Sequence, residues 1–170
     1  MVKILKSGRD AQAQAEDDAR VKGTVESILA DIARRGDAAV RELSEKFDGW
    51  SRSDYRLTDK EVRDCLSQLS SRDLDDIRFA QERVRDFAQH QRETIRDLEV
   101  ETFPGIWLGH KNIPVNSVGC YVPGGKYPLL ASAHMSIITA RVAGVGRVVT
   151  CAPPFQGRPA PAIVAAQHLA

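Results

Sequence analysis

The sequence predicts an α/β fold in which several N-terminal helices precede an incomplete parallel β-sheet. Two observations carry this prediction. Up to about Leu98, apolar residues recur at the i, i+3, i+4, i+7 spacing of amphipathic helices. From Val115 onward, short β-branched runs alternate with helical segments, and this strand–helix–strand–helix order is typical of parallel sheets.

The N-terminal part is predicted to become helical at Thr24. Residues 9–23 are polar and lack an apolar stripe, so we interpret residues 1–23 as an arm that is flexible or orders only against a partner. Thr24 can cap a first helix, which Gly36 ends because glycine accepts positive φ. A second helix is expected to stop at Asp48-Gly49.

Two further helices are predicted before the first strand. The sequence T-D-K-E at residues 58–61 is a capping box, and apolar residues follow it at helical spacing. A longer helix is expected from about Asp73 to about Arg96. Its expected inward side chains are Leu74, Ile77, Ala80, Val84, Phe87 and Ile95.

After Leu98 the pattern changes to that of strands. The segments VETF, GIWLGH and VNSVGCYV are predicted strands, broken by proline and glycine. A helix from about Ala131 to Ala143, the strand RVVTC and a final helix follow. Because the chain stops inside that helix without a cap, we expect a truncated sheet domain. The predicted parts of the chain are thus the arm of residues 1–23, a helical region with the first strands in residues 24–114, and the start of the sheet domain in residues 115–170.

The composition excludes several classes of partner. The 170 residues carry a formal net charge of +1, which favours neither nucleic acid nor an anionic membrane. Three distant cysteines give no zinc-finger spacing and no disulfide framework. The N-terminus is too short and polar for a signal peptide, and no apolar run reaches the roughly 20 residues of a membrane span. We therefore expect a cytoplasmic protein.

The glycine pair Gly124-Gly125, followed by Lys126, raises the question of a phosphate loop. A phosphate loop needs G-x4-G-K-[ST], whereas here Gly125 stands where the lysine belongs and Tyr127 follows Lys126. The residues themselves leave two interpretations open. The glycines either form only a strand-to-helix turn of unusual φ, or they also let a ligand approach the carboxyl end of a strand.

Residues 118–154, VGCYVPGGKYPLLASAHMSIITARVAGVGRVVTCAPP, resemble the signature region of the histidinol dehydrogenase family. In that family a G-x-Y-x-P-G-G turn precedes a small-residue helix, an A-G stop, a β-branched strand and P-P. The segment EKFDGW also looks like the family's sequence. The resemblance implies the N-terminal part of a zinc-dependent, NAD-dependent, homodimeric enzyme that oxidises a polar alcohol to a carboxylate by two hydride transfers. Residues 115–170 would then begin a Rossmann-like NAD-binding domain.

The resemblance also implies roles for individual residues. Tyr121 matches the family's NAD-contacting tyrosine, with a cross-strand packing role as the alternative, and Pro123, Gly124 and Gly125 would shape the nucleotide pocket. The family's zinc ligands and its Glu-His acid/base pair lie later than Ala170, so no catalytic or metal residue is expected in this chain. The four histidines are accordingly not offered as zinc ligands: His90, His110, His134 and His168.

The sequence departs from typical histidinol dehydrogenases at two positions. Lys126 and His134 stand where a small or hydroxyl residue and an aliphatic residue are usual, a pattern that looks more like sulfopropanediol dehydrogenase paralogues. Lys126 and a protonated His134 would favour an anionic substrate group, unless Lys126 is solvated and His134 packs or caps. The alternative to an enzyme is a non-catalytic α/β binding or assembly module.

Overall fold

The computed structural model describes residue 8, residues 10–124 and residues 127–170, and places them in an α/β fold. They form two compact units, residues 1–52 and residues 53–170, which are described separately here. The predicted divisions after residues 23 and 114 follow element type and stay predictions. None of the helices in the described ranges is both long enough and apolar enough to cross a bilayer.

The first unit is a pair of helices, and its first helix begins earlier than expected. Helix α1 spans Ala11–Arg35 with Asp10 as its N-cap, so the predicted helix start and cap at Thr24 are wrong. Thr24 instead donates its hydroxyl to the Arg20 carbonyl at 2.9 Å. This part of α1 has no apolar stripe. Its alanines and its ion pairs, such as Arg20–Asp17 at 2.9 Å, stabilise the helix instead.

The end of α1 is confirmed at Gly36, whose φ of 58° suits glycine. Helix α2, Asp37–Asp48, follows and ends at Gly49, as predicted. Arg35 joins the two helices, because its guanidinium reaches Asp31 at 2.6 Å and Glu42 at 2.7 Å. These bonds hold the pKa of both carboxyl groups below the usual range.

Two capped helices open the second unit. Helix α3 spans Asp59–Leu66 and has the predicted capping box at Thr58. Helix α4 spans Ser71–Thr94 and has a second capping box, made by Ser70 and Asp73. The predicted inward face of α4 is confirmed at Ile77, but Phe87 and Ile95 are exposed, and Gln81 and Ala88 are buried instead.

A two-stranded antiparallel hairpin follows α4. Strand β1, Leu98–Phe103, pairs with β2, Ile106–His110, and the turn between them uses Gly105 at a φ of 81°. Side chains on both faces of this hairpin are exposed within the described residues.

The parallel pair predicted for the C-terminal part is present. Strand β3, Ser117–Tyr121, pairs in parallel with β4, Arg147–Cys151. The connection contains α5, Leu130–Ala133, a π-helical turn, His134–Ile138, and α6, Thr139–Val142. Helix α7, Pro161–Leu169, follows β4. The core lies between this sheet and the helices, and its fully buried large side chains are Val122, Ile137, Ile138 and Ile163.

The π-helical turn interrupts the predicted helix of residues 131–143. Two hydroxyls bond back to main-chain carbonyls around it: Ser136 donates to Ser132 at 2.6 Å, and Thr139 donates to Met135. Such back-bonding satisfies carbonyl groups that the changed hydrogen-bond pattern leaves free, and it accompanies bends in helices.

Candidate functional site

The β3–β4 sheet has one covered face and one open face. Side chains alternate along a strand, and Val118, Cys120, Val148 and Thr150 point toward helices α5 to α7. The other face carries exposed side chains along both strands: Ser117, Gly119, Tyr121, Arg147, Val149 and Cys151. We call this second set the open face.

Tyr121 lies on the open face at the carboxyl end of β3. It is 61% exposed and pairs in register with Cys151 at the end of β4. Gly119, two residues earlier on the same face, has no side chain to cover the ring. An exposed aromatic ring at the carboxyl end of a parallel strand fits a planar ligand ring, because ligands of open α/β sheets bind at that edge.

The neighbouring thiol of Cys151 stays protonated at neutral pH. Although the Cys151 side chain is exposed on the open face, partial desolvation by the surrounding atoms raises the pKa of its thiol, and the nearby Cys120 adds to the shift. The carboxyl end of the sheet therefore offers an aromatic ring beside a neutral thiol rather than a nucleophile.

The turn after β3 is held at both ends by main-chain hydrogen bonds. The Val122 amide donates to the Cys151 carbonyl at 2.8 Å, and the Leu129 amide donates to the Pro123 carbonyl at 3.2 Å. Pro123 is half-buried and Gly124 is buried. Gly125 and Lys126, the other predicted binding residues of this turn, lie outside the described residues.

His134, the second predicted substrate residue, is buried between helices. It begins the π-helical turn, is 7% exposed and faces Gln81 of α4. Gln81 Nε2 lies 3.3 Å from His134 Nδ1 and donates to the Ala166 carbonyl of α7 at 2.9 Å. Because an amide nitrogen only donates, His134 Nδ1 accepts, and the neutral ring carries its proton on Nε2.

The surroundings of His134 disfavour its charged form. Burial lowers the pKa of the imidazole below its usual range, and protonation of Nδ1 would set two donors against each other. His134 also lines a cavity of about 450 Å³ together with Leu69, Asp73, Asp76, Ile77, Leu130 and Ala162. The predicted role as a protonated substrate ligand gains no support from this position, which matches the packing alternative.

We expect His134 to make the protein less stable as the pH falls from 8 to 5. The pKa of His134 in the folded state lies below the unfolded value near 6.5. As the pH falls below about 6.5, the unfolded state therefore binds a proton that the folded state does not yet bind. The stability is thus full above about pH 6.5 and is lost as the pH falls toward the folded pKa. The loss of stability is measured from the urea midpoints of the unaltered chain and of His134→Leu at pH 8 and at pH 5. The midpoint of the variant should fall less between the two pH values.

His90 provides a control of opposite sign. Its bond to the Asp86 carbonyl, at 2.8 Å, raises the pKa of the exposed His90 ring, so it contributes stability below about pH 6.5. His90→Leu should therefore enlarge the loss between pH 8 and 5. An equal loss in the unaltered chain and in His134→Leu would contradict the assignment of His134.

The other histidines are dispersed over the surface. His90 lies on α4, His110 contacts the Arg96 carbonyl at 3.0 Å, and His168 is exposed on α7. Within the ranges 10–124 and 127–170, three or more His, Cys, Asp or Glu side chains nowhere gather closely enough to hold a metal ion. The described residues therefore do not fit a zinc centre.

Gln81 is the residue of this region that sequence reasoning missed. It occupies an inward position of α4, four residues after Ile77, where the apolar pattern predicts an aliphatic side chain. Such a polar break in an apolar stripe is the signal that could have pointed to a buried partner.

The described part of the chain is an α/β protein with a two-stranded parallel sheet, one face of which is open. The chain belongs to the histidinol dehydrogenase family, whose family model matches residues 11–170. The crystal structure of histidinol dehydrogenase from Elizabethkingia anophelis has the same fold, with a TM-score of 0.77 at 24% identity, over 98% of this chain and 36% of that one.

Two curated relatives are more similar in sequence. Histidinol dehydrogenase homolog 1 of Mesorhizobium japonicum is 52% identical over 100% of this chain and 34% of its own length. Sulfopropanediol 3-dehydrogenase of Ruegeria pomeroyi is 43% identical over 98% of this chain and 38% of its own length. The chain thus spans little more than a third of these relatives.

Proposed function

We propose that these residues supply the nucleotide-binding edge of a zinc-dependent, NAD-dependent dehydrogenase that oxidises a polar alcohol to a carboxylate by two hydride transfers. The observation that carries the proposal is the exposed Tyr121 ring at the carboxyl end of β3, in a chain matched by the family model over residues 11–170. "The complete enzyme" below means the polypeptide of family length that carries this sequence.

In this proposal the chain's own residues bind and orient the cofactor. Tyr121 offers its ring face to a planar part of NAD, and the bonds of Val122 and Leu129 keep the following turn in one place. A bound NAD would supply the acceptor for the hydride that leaves the alcohol carbon. We expect the zinc ligands and the acid/base pair in the rest of the complete enzyme.

The substrate is either L-histidinol or an anionic short-chain alcohol such as sulfopropanediol, and we favour the anionic class. One support is the 43% identity to a sulfopropanediol 3-dehydrogenase. The other is Lys126 next to the glycine pair, where a cation would favour an anionic group. His134 is no longer part of this argument. We keep the homodimer and the cytoplasmic location as proposals that rest on the family alone.

The competing proposal is a non-catalytic binding or assembly module. The observation that favours it is the lack of any metal-binding group of side chains among the described residues. The reading frame after Ala170 separates the two. A frame that continues into a Glu-His pair and further histidines supports the enzyme, and a stop codon supports the module.

The direct test is turnover. We expect the complete enzyme, loaded with zinc, to form two NADH per alcohol consumed, and the isolated 170-residue chain to show no turnover and no stoichiometric zinc. The measurements are NADH absorbance against alcohol consumed and zinc content per chain. One tightly bound zinc in the untagged 170-residue chain, or no NAD reduction by the complete enzyme with any polar alcohol, would contradict the proposal.

A further inference from the structure

The buried Gly124 lies against helix α7, at the point where the turn after β3 meets the core. A Cβ atom placed on Gly124 would lie 2.6 Å from Cδ1 of Ile163, and the next atom, Cγ of Pro153, would be 3.9 Å away. A separation of 2.6 Å is far inside the van der Waals contact of two carbon atoms. The Ile163 methyl group therefore occupies the space that any larger residue at position 124 would need.

From this contact we infer that Ile163 is a positioning residue for the cofactor turn. Its side chain fixes how deeply Gly124 sits and thereby the path of residues 122–124, which follow Tyr121. The inference rests on the proposed binding of NAD at that turn. It also gives the missing side chain of Gly124 a further role beside the predicted one, since it makes room for Ile163.

Ile163 has little freedom to move away. It is 1% exposed and belongs to the core cluster with Val122, Ile137 and Ala166, so a rotation about χ2 that moved its Cδ1 methyl group would press that group against close-packed neighbours. Leu129, at the far end of the turn, is by contrast exposed. A methyl group added at position 124 should thus displace the turn outward rather than compress the core.

A displaced turn should disturb the two hydrogen bonds that hold its ends. These are the bonds from the Val122 amide to the Cys151 carbonyl and from the Leu129 amide to the Pro123 carbonyl. Both amides report the position of the turn without any cofactor, so the structural inference can be tested apart from NAD binding.

The experiment is amide hydrogen exchange at Val122 and Leu129 in four versions of the 170-residue chain. They are the unaltered chain, Gly124→Ala, Ile163→Val, and the double variant. Ile163→Val removes the Cδ1 methyl group, so the double variant returns the volume that Gly124→Ala adds. We expect exchange at the two amides to become about tenfold faster in Gly124→Ala and to return to the unaltered rate in the double variant.

Ile138→Val is the matched control. Ile138 is also fully buried in the same core, but no atom of it is among the neighbours within 4 Å of the Gly124 position. Gly124→Ala combined with Ile138→Val should therefore keep the faster exchange. Equal rescue by both valine variants would overturn the inference. So would faster exchange throughout β3 and β4 in Gly124→Ala, because the effect would then be general unfolding.

The Kd for NAD of the same variants in the complete enzyme tests the functional half. We expect NAD affinity to change in parallel with the exchange rates. NAD should bind about tenfold more weakly in Gly124→Ala, and addition of Ile163→Val, but not of Ile138→Val, should restore the affinity. If the unaltered complete enzyme binds no NAD, the proposed function fails while the exchange pattern still decides the role of Ile163. If NAD binds and its Kd is the same in all variants, Ile163 does not position the cofactor turn.

Discussion

We expect replacement of Tyr121 by alanine to weaken the proposed binding of NAD to the complete enzyme by about five- to 150-fold. The ring lies exposed on the open face at the carboxyl end of β3, so its face is accessible to a ligand rather than packed in the core. Stacking of a planar base on an aromatic side chain is worth about 1–3 kcal/mol by alanine substitution, which corresponds to this range. The Kd for NAD, measured by titration calorimetry, gives the result directly.

Three comparisons isolate the ring of Tyr121. Tyr121→Phe keeps the aromatic face and should retain most of the affinity, whereas Tyr55→Ala removes a tyrosine far along the chain and should leave it unchanged. Zinc content should stay constant in every variant, because Tyr121 is not a metal ligand. An unaltered Kd in Tyr121→Ala would remove the residue from the cofactor site and return it to the cross-strand packing role.

The elements of the second unit were predictable because their signals are local. A capping box at Thr58 requires four residues, and a turn at Pro123-Gly124 requires two, so neighbouring sequence decides both. The parallel pairing of β3 and β4 follows almost as directly. A helix between two short strands leaves few other arrangements, since such crossovers place the strands side by side in one sheet.

The start of α1 shows where a local signal misleads. Thr24 is a good N-cap residue, but its hydroxyl donates within the helix while Asp10 caps fourteen residues earlier. The periodicity of apolar residues does not detect a helix that lacks an apolar stripe. This part of α1 is stabilised by its alanines and ion pairs instead.

The contacts around the candidate site were not predictable from the sequence. His134, Gln81 and the Ala166 carbonyl meet although 53 and 85 residues separate Gln81 from its two partners. Nothing in the residues near His134 distinguishes a buried neutral imidazole from an exposed charged one. The close approach of Gly124 to Ile163 was not predictable either. The sequence shows a glycine at position 124, and only the structure shows that a side chain there would meet Ile163.

The proposed substrate preference rests on the charge of the side chains near the turn. L-histidinol carries an ammonium and an imidazole, so its site needs acceptors and carboxylates, whereas a sulfonated or carboxylated alcohol needs donors and positive charge. Lys126 supplies such a charge beside Gly125, although both residues lie outside the described part of the structure. The relative of 43% identity that is named for sulfopropanediol oxidation points to the same class.

We therefore expect the complete enzyme to prefer an anionic short-chain alcohol over L-histidinol. A charge-assisted hydrogen bond from Lys126 is worth about 1.5–3 kcal/mol, or about ten- to a hundredfold in kcat/KM. Lys126→Ser should lower kcat/KM for sulfopropanediol by this factor and leave that for L-histidinol unchanged. His134→Leu is the matched control, because a buried neutral ring should not affect the preference. Efficient turnover of L-histidinol, with a preference that Lys126→Ser does not alter, would instead assign the enzyme to histidinol oxidation.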